Sequence, residues 1–167
     1  METYHLSVEP QLLREAMRQW TTGVTVLSSC HEGHQHGMTV NSFTSISLDP
    51  PVILVSLNRE SRTHALVTQS GVFGVTILAD DQQAVAERFA GQVADDADRF
   101  EGLETFDLVT GSPLICGGLA FLDCEVKQAV DIGGSTLFLG LVIGTAAVRD
   151  FNPLVYHRRG YHRLDGT

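Results

Sequence analysis

Basic residues are scarce in the sequence, and lysine is nearly absent from it. Eleven lysine and arginine residues stand against 20 aspartate and glutamate residues, giving a formal charge of −9, and Lys127 is the single lysine. Nonspecific nucleic-acid binding needs a dense Lys/Arg surface that displaces counterions from the phosphates. The composition therefore argues against a nucleic-acid partner.

Long apolar runs are also missing. The longest near-apolar stretch, Leu137–Val148, falls short of the roughly 20 residues that a membrane-spanning helix needs. The residues Met1–His5 do not combine a basic region with a following apolar one, which a secretory signal requires. We expect neither a membrane segment nor an export signal.

Cysteine is rare, and its spacing in the sequence does not suggest disulfide or metal-binding pairs. The three cysteines, Cys30, Cys116 and Cys124, are widely spaced and form no CxxC pair. Both Cys116 and Cys124 lie in apolar, strand-like contexts, where a thiol is usually a small buried hydrophobic group. We therefore expect reduced thiols, no catalytic cysteine and a cytoplasmic protein.

Three familiar site motifs do not occur. The sequence has no GxGxxG, no GxxxxGK[ST] and no GxSxG, which excludes the usual signatures of Rossmann folds, phosphate loops and hydrolase elbows. If the chain handles a nucleotide, it must hold it by another architecture.

The first half of the chain predicts one helix and three strands within a single domain, residues 1–167. Apolar residues recur at helical spacing over Leu12–Trp20. Two segments rich in Thr, Val and Ser, Gly23–Ser29 and Gly37–Ser47, predict a hairpin around a polar loop, Cys30–His36. The continuous apolar run Val52–Leu57 predicts a strand buried on both faces.

The second half predicts two helices, a strand and a long hairpin. Ser61 is a candidate N-cap for a helix that ends before Gly71, and Asp80 with Gln83 resembles a capping box at the start of another. Val72–Leu78 predicts a strand, and residues 91–112 predict an acidic, solvated excursion. Leu119–Val130 and Ser135–Val148 predict two long strands that are joined by a turn over Asp131–Gly134.

Hairpin turns outnumber helical crossovers in this pattern. It favours a mainly β fold with flanking helices, in which an antiparallel sheet closes into a barrel.

Two polar segments are candidates for chemistry. The histidines of His31–His36 could bind a metal, but zinc sites usually draw ligands from more than one segment, so the pattern favours a solvated loop. The segment Gly37–Ser56 carries hydroxyl and amide side chains on a strand that should otherwise be apolar. These groups either pair across strands or bind a flat, hydrogen-bonding heterocycle, and composition alone leaves both open.

A collinear series of motifs decides between these alternatives. In chain order they are TTGVTVLSS (Thr21–Ser29), SRTHAL (Ser61–Leu66), FGVTIL (Phe73–Leu78), ERFAG (Glu87–Gly91) and PLVYHRRGY (Pro153–Tyr161). Together with Gly37–Ser56, and over about Leu12 to Leu164, the chain resembles the short-chain flavin reductases, the reductase components of two-component flavin-dependent monooxygenases.

The resemblance implies a fold, an activity and partners. The fold would be an antiparallel split β-barrel of the FMN-binding type, usually a homodimer with flavin near the subunit interface. The activity would be reduction of FMN or FAD by NADH or NADPH, followed by release of the reduced flavin to a partner monooxygenase. The alternative is an electron carrier that binds FMN tightly and has no productive nicotinamide site.

The resemblance also assigns flavin contacts to specific positions. They are Gly37, Met38, Thr39, Asn41, Ser42, Ser56, Leu57, Asn58, Ser61, Arg62, Thr63, Arg88 and Phe89. A phosphate suits a helix start, where backbone N–H groups and the helix dipole favour an anion. Ser61, Arg62 and Thr63 would add hydroxyls and a guanidinium there, and we expect Asn41 and Thr63 to lie outside the core.

The basic tail is assigned to the nicotinamide cofactor by the same resemblance, through Tyr156, His157, Arg158 and Arg159. The alternative is that this tail pairs with the acidic residues 95–107. One departure concerns this cofactor: many relatives carry Gly-Asp-His where this chain has Gly133–Ser135. Stacked rings need no general acid or base for hydride transfer, so we predict no catalytic side chain.

Overall fold

Antiparallel strands dominate the fold. A computed structural model describes residues 9–91, 97–148 and 151–164 of the chain. The helices are α1 (Pro10–Met17), α2 (Arg62–Ser70) and α3 (Gln83–Phe89). The strands are β1 (Thr22–Gly23), β2 (Thr25–His31), β3 (His34–Val40), β4 (Phe43–Leu48), β5 (Pro51–Asn58), β6 (Val72–Ile77), β7 (Thr105–Phe106), β8 (Leu114–Ile115), β9 (Ala120–Ile132), β10 (Ser135–Ala147), β11 (Val155–His157) and β12 (Gly160–His162).

Seven strands form the main sheet, in the order β3-β2-β6-β9-β10-β5-β4, and every neighbouring pair is antiparallel. The strands β11 and β12 form a small hairpin that pairs with β1 in a separate sheet. This arrangement confirms the predicted fold class, mainly β with flanking helices.

The two edges of the main sheet are consecutive in the chain. Only Asn41 and Ser42 separate β3 from β4, so the facing strand ends lie at most roughly 11 Å apart. The sheet must therefore curl until its edges meet at this corner. Since no ladder pairs β3 with β4 in the described ranges, the barrel stays split there, and the predicted continuous strand Gly37–Ser47 is in fact two strands.

Two apolar clusters hold the sheet and helices together. The first lies between the sheet and α2, and includes Leu27, Val67, Phe73 and Phe138. The second lies under α3 and the chain end, and includes Val26, Leu78, Ala86, Phe89, Phe100 and Leu154. Apolar burial of this kind is the main favourable term in folding, and it fixes α2 and α3 beside the edge strand β3.

Three details of the strand and loop predictions were wrong. The loop expected over Cys30–His36 is a two-residue turn, because Glu32 and Gly33 take the positive φ that a tight hairpin requires. Strand β5 alternates buried and half-exposed residues, so it is not buried on both faces. Residues 91–112, where described, are not simply a solvated excursion, because Phe100 belongs to the second apolar cluster.

The helix starts were partly predicted. The hydroxyl of Ser61 accepts a hydrogen bond from the backbone N–H of His64, so Ser61 caps α2, and Gly71 ends it in a left-handed conformation. The expected Asp80/Gln83 capping box does not form. Instead Gln82 precedes α3, and its Oε1 accepts from the backbone N–H of Ala79.

The three cysteines are free in the structure. Burial, and then the neighbouring carboxylate of Asp123, raise the pKa of Cys124 to about 12, so this thiol stays protonated and unreactive. Burial of the Cys116 thiol and then Glu104 raise the pKa of Cys116 also. In the described ranges, no helix is both long and apolar enough to cross a membrane.

A buried carboxylate anchors the loop before β8. The side chain of Asp123 is fully buried and accepts hydrogen bonds from the backbone N–H groups of Val109 and Thr110, each at 2.7 Å. It also accepts from the Thr110 hydroxyl at 2.5 Å. Hydrogen bonds to a charged acceptor are among the strong ones in proteins.

Removal of this anchor tests the packing around it. We expect Asp123→Ala to lower the free energy of unfolding by about 3 kcal/mol, because it removes the acceptor of three hydrogen bonds, one of them from a side-chain hydroxyl. Urea denaturation measures this change, and Asp107→Ala, at an exposed position, is the control. Equal unfolding midpoints for the two variants would contradict the anchoring role.

Candidate functional site

A groove runs past the corner where the barrel is split. Its larger part, which we call the split cleft, has a volume of about 570 Å³. Asn41, Ser42 and Ser56 form one wall, and α1 with the β11–β12 hairpin forms the other. In the described residues no ladder joins the two edge strands at this corner, and the edge of a sheet presents backbone groups as well as side chains to a ligand.

A smaller pocket lies at the N-terminus of α2. This helix pocket has a volume of about 320 Å³, and its lining includes Ser61, Arg62 and Thr63. The opposite side is formed by Met38 and Thr39 of β3, by Phe89 of α3, and by His36 and Arg99.

The helix pocket and the split cleft are joined by a third hollow. It has a volume of about 200 Å³, and its lining includes Thr39, Asn41 and Tyr156. Thr39 also lines the helix pocket, and the other two residues also line the split cleft. The three hollows therefore form one groove along β3.

The side chains that line the helix pocket carry a net positive charge. The guanidinium of Arg99 donates to the backbone carbonyls of Gly37 and Phe89, both at 3.1 Å, which ties the pocket's far wall to β3 and α3. Arg62 lies in the first turn of α2, where the helix dipole adds to its charge. Against these two arginines, the lining contains one carboxylate, that of Glu60.

The imidazole of His36 is part of this electrostatic arrangement. Its Nδ1 lies 2.8 Å from the hydroxyl oxygen of Thr63. Its Nε2 is buried and has no hydrogen-bond partner in the described residues. Desolvation by burial, followed by the charges of Arg99 and Arg62, lowers the pKa of His36 from 6.5 to about 4. His36 is therefore neutral at physiological pH.

The split cleft combines polar side chains with a constrained hairpin turn. The Ser42 hydroxyl donates to the Ser56 carbonyl at 2.7 Å, which holds the two-residue link Asn41–Ser42 against β5. Arg158 and Arg159 both have positive φ, 48° and 64°, although this conformation favours glycine and asparagine. Arg158 is held by two hydrogen bonds to Gln19 Oε1, from Nε at 3.0 Å and Nη2 at 2.7 Å.

Comparison with known proteins identifies the family of this chain. Residues 17–165 match the family described as flavin reductase like domain. The chain belongs to the flavin reductase-like family.

Similar proteins include several named as flavin reductases. The NADH-dependent flavin reductase StyB of Pseudomonas fluorescens is 38% identical over 160 residues, covering 94% of this chain and 91% of that protein. HsaB of Rhodococcus jostii, the reductase subunit of a flavin-dependent monooxygenase, is 32% identical over 159 residues, covering 95% and 80%. The Streptomyces globisporus NADH:FAD oxidoreductase SgcE6 superposes with a TM-score of 0.92 at 28% identity, covering 99% of this chain and 100% of that one.

Twelve of the 17 residues assigned from the flavin reductase resemblance line the groove. Six lie in the split cleft and six in the helix pocket. In the split cleft they are Asn41, Ser42, Ser56, Tyr156, Arg158 and Arg159, and in the helix pocket they are Met38, Thr39, Ser61, Arg62, Thr63 and Phe89.

The other five assigned residues have different surroundings. The Leu57 side chain is fully buried in the first apolar cluster. A Cβ on Gly37 would lie 2.9 Å from the Phe89 ring, so this glycine allows α3 to pack closely. Arg88 donates to the Glu101 carbonyl, Asn58 accepts from the backbone N–H of Glu60, and His157 contacts the Thr21 hydroxyl. Ligand contact at these five positions stays a prediction.

The expectation that Thr63 lies outside the core was wrong. Thr63 is fully buried, and its hydroxyl is engaged with His36. Asn41 is exposed, as expected. Thr63 therefore lines the helix pocket with a side chain whose hydroxyl is already paired with His36.

Sequence reasoning missed several groove residues of this flavin reductase-like chain. His36 was interpreted as part of a solvated loop, and Arg99 lies in a stretch interpreted as a surface excursion. Arg14, Arg18 and Trp20 line the split cleft as well, but helical periodicity indicates only which face of α1 is apolar. An arginine inside an acidic stretch is the one local signal that could have indicated Arg99.

The low pKa of His36 predicts a pH-dependent stability. Between pH 6.5 and about 4 the unfolded chain binds a proton at this residue that the folded chain does not. The free energy of unfolding should therefore fall as the pH falls through this window. In His36→Asn part of this fall should disappear, as measured by urea denaturation at several pH values. The exposed His34→Asn is the control, and an unchanged pH profile in His36→Asn would contradict the assignment.

Proposed function

We propose that this chain is an NAD(P)H:flavin oxidoreductase, which binds FMN or FAD, reduces it with NADH or NADPH, and passes the reduced flavin to a partner monooxygenase. The observation that carries the proposal is the single groove, with a cationic pocket at a helix N-terminus at one end and a wide open cleft at the other. Such a groove matches a ligand with a phosphate tail and a flat polar ring.

The donor set of the helix pocket fits a phosphate. The pocket presents two arginines and the N-terminus of α2 to an anion. Buried polar atoms in proteins usually have a hydrogen-bond partner, and the buried Nε2 of His36 has none in the described residues. A bound ligand could supply this partner. We assign the flavin phosphate to this pocket.

The ring would then lie along β3 towards the link between the two sheet edges. Thr39, Asn41 and Ser42 follow one another on this path. Hydrogen-bond donors beside the polar edge of the ring favour its reduced, more negative form. The Thr39 hydroxyl already donates to the Ala86 carbonyl at 2.6 Å, so Asn41 and exposed backbone N–H groups are the stronger candidates.

A second nucleotide needs access to the ring. Flavin accepts a hydride from nicotinamide when the two rings are stacked, without a protein acid or base. The task of the protein is therefore to hold two ligands in register and to release one of them. The split cleft is open and carries four arginines, which suits entry of a dinucleotide with two phosphates.

We also propose that the protein functions as a homodimer. Large apolar side chains are exposed on β4 and at the tip of the β9–β10 hairpin, including Ile46, Leu48 and Ile132. Leu48 is 90% exposed, an arrangement that usually marks an interface. The free thiols and the use of NADH or NADPH are consistent with a cytoplasmic location, which stays a prediction.

Steady-state kinetics test the proposed function. NADH or NADPH oxidation should depend on added FMN or FAD, and the protein should purify with little colour, because a released flavin is a substrate rather than a fixed group. An electron carrier would instead stay yellow and leave NADH unoxidised. Failure of both cofactors with both flavins would contradict the proposal.

Flavin affinity tests the position of the ring. We expect Asn41→Ala to raise the Kd for FMN and FAD by about threefold to tenfold, the effect of losing one hydrogen bond. Quenching of flavin fluorescence measures this affinity. Gln35→Ala removes an exposed amide from the same strand outside the groove and should leave the Kd unchanged. Equal affinities in the two variants would show that the ring lies elsewhere.

A further inference from the structure

The α1 side of the split cleft carries groups that a flavin along β3 does not use. This wall is formed by Arg14, Met17, Arg18 and Trp20, and it faces Arg159 of the β11–β12 turn. The cleft volume of about 570 Å³ is within the range of small-molecule sites.

Trp20 is an exposed aromatic platform. It is the single tryptophan of the chain, and 67% of it is exposed although it lines the cleft. Its position is set from both sides: the Trp20 backbone N–H donates to the Met17 carbonyl, and the Arg158 backbone N–H donates to the Arg18 carbonyl. The hydrogen bonds from Arg158 to Gln19 reinforce this placement.

The charge around Trp20 selects the kind of ligand. Four arginines line this cleft in a chain of net charge −9. Two of them, Arg158 and Arg159, hold a backbone conformation that is unfavourable for their residue type, and such outliers concentrate at functional sites. Crowded guanidinium groups beside an indole favour an anion with a flat ring over an apolar protein surface.

We propose that Trp20, Arg14, Arg18 and Arg159 form the subsite for the adenosine diphosphate half of the nicotinamide dinucleotide. The adenine stacks on the indole of Trp20, and the three arginines pair with the phosphates. Arg158 is a positioning residue, because its guanidinium is engaged with Gln19. The inference rests on the proposed function, since it places the hydride donor in the same cleft as Asn41 and Ser42, where we propose that the flavin ring lies.

The fluorescence of Trp20 tests the subsite without any turnover. In the flavin-free protein, ADP-ribose should quench this fluorescence saturably, and ribose 5-phosphate, which lacks adenine, should not. Arg18→Ala should weaken the ADP-ribose response, whereas Arg163→Ala, at an exposed position outside the cleft, should preserve it. Absence of quenching in the unmodified protein would overturn the subsite.

Two hydride donors separate the subsite from the proposed function. Reduced nicotinamide mononucleotide lacks the adenosine half, so we compare kcat/KM for NADH with kcat/KM for this shorter donor. Trp20→Ala should lower the ratio of kcat/KM for NADH to kcat/KM for the shorter donor by about tenfold, as expected for loss of one stacked base. Trp20→Phe should restore most of it, and Leu13→Ala, which removes an exposed apolar residue from helix α1 outside the cleft lining, should leave the ratio unchanged.

The possible outcomes are distinguishable. If Trp20→Ala oxidises both donors with an unchanged ratio, the subsite is wrong and the proposed function stands. If the unmodified protein oxidises neither donor with flavin present, the proposed function fails. In that case saturable quenching of the Trp20 fluorescence by ADP-ribose still supports an adenine nucleotide site. Absence of quenching overturns this site as well.

Discussion

The link Asn41–Ser42 is the constraint on which the rest of the structure depends. It joins the two edge strands of a seven-stranded antiparallel sheet with two residues. A sheet of this width can satisfy such a short connection only by curling until its edges meet. The edges meet at a corner without forming a ladder, so unpaired backbone groups and small polar side chains are left facing a groove. The corner is therefore both the closing point of the fold and the centre of the candidate site.

The electrostatics of the groove follow from what packs beside this corner. Helix α2 points its N-terminus at β3, and Arg62 and Arg99 add charge to the same place. His36 stays neutral among them because desolvation and the two arginines oppose its protonation. The positive charge of the pocket therefore comes from the two arginines and not from a protonated histidine, in a protein whose net charge is −9. A phosphate-bearing ligand would find its positive partners concentrated along one groove.

The sequence predicted the class of fold and the general place of the site because both depend on local signals. Strand patterns, the Ser61 cap and the collinear motifs survive in the structure, and they led to the family to which the chain belongs. The break at Asn41–Ser42 was not predicted, because it is imposed by closure of the sheet and not by Gly or Pro. The burial of Thr63 was not predicted, because it depends on which face of α2 meets the core. Arg99 and Trp20 reach the groove through long-range packing, which periodicity along a single segment does not encode.

A structure of the protein with bound FMN would show directly whether the groove holds the flavin. We expect the phosphate in the helix pocket, beside Ser61 and Arg62, and the ring along β3 at Asn41. We also expect the split between β3 and β4 to remain open on one face of the ring. A flavin bound away from this groove, or a groove filled by side chains while flavin occupies another surface, would contradict this assignment.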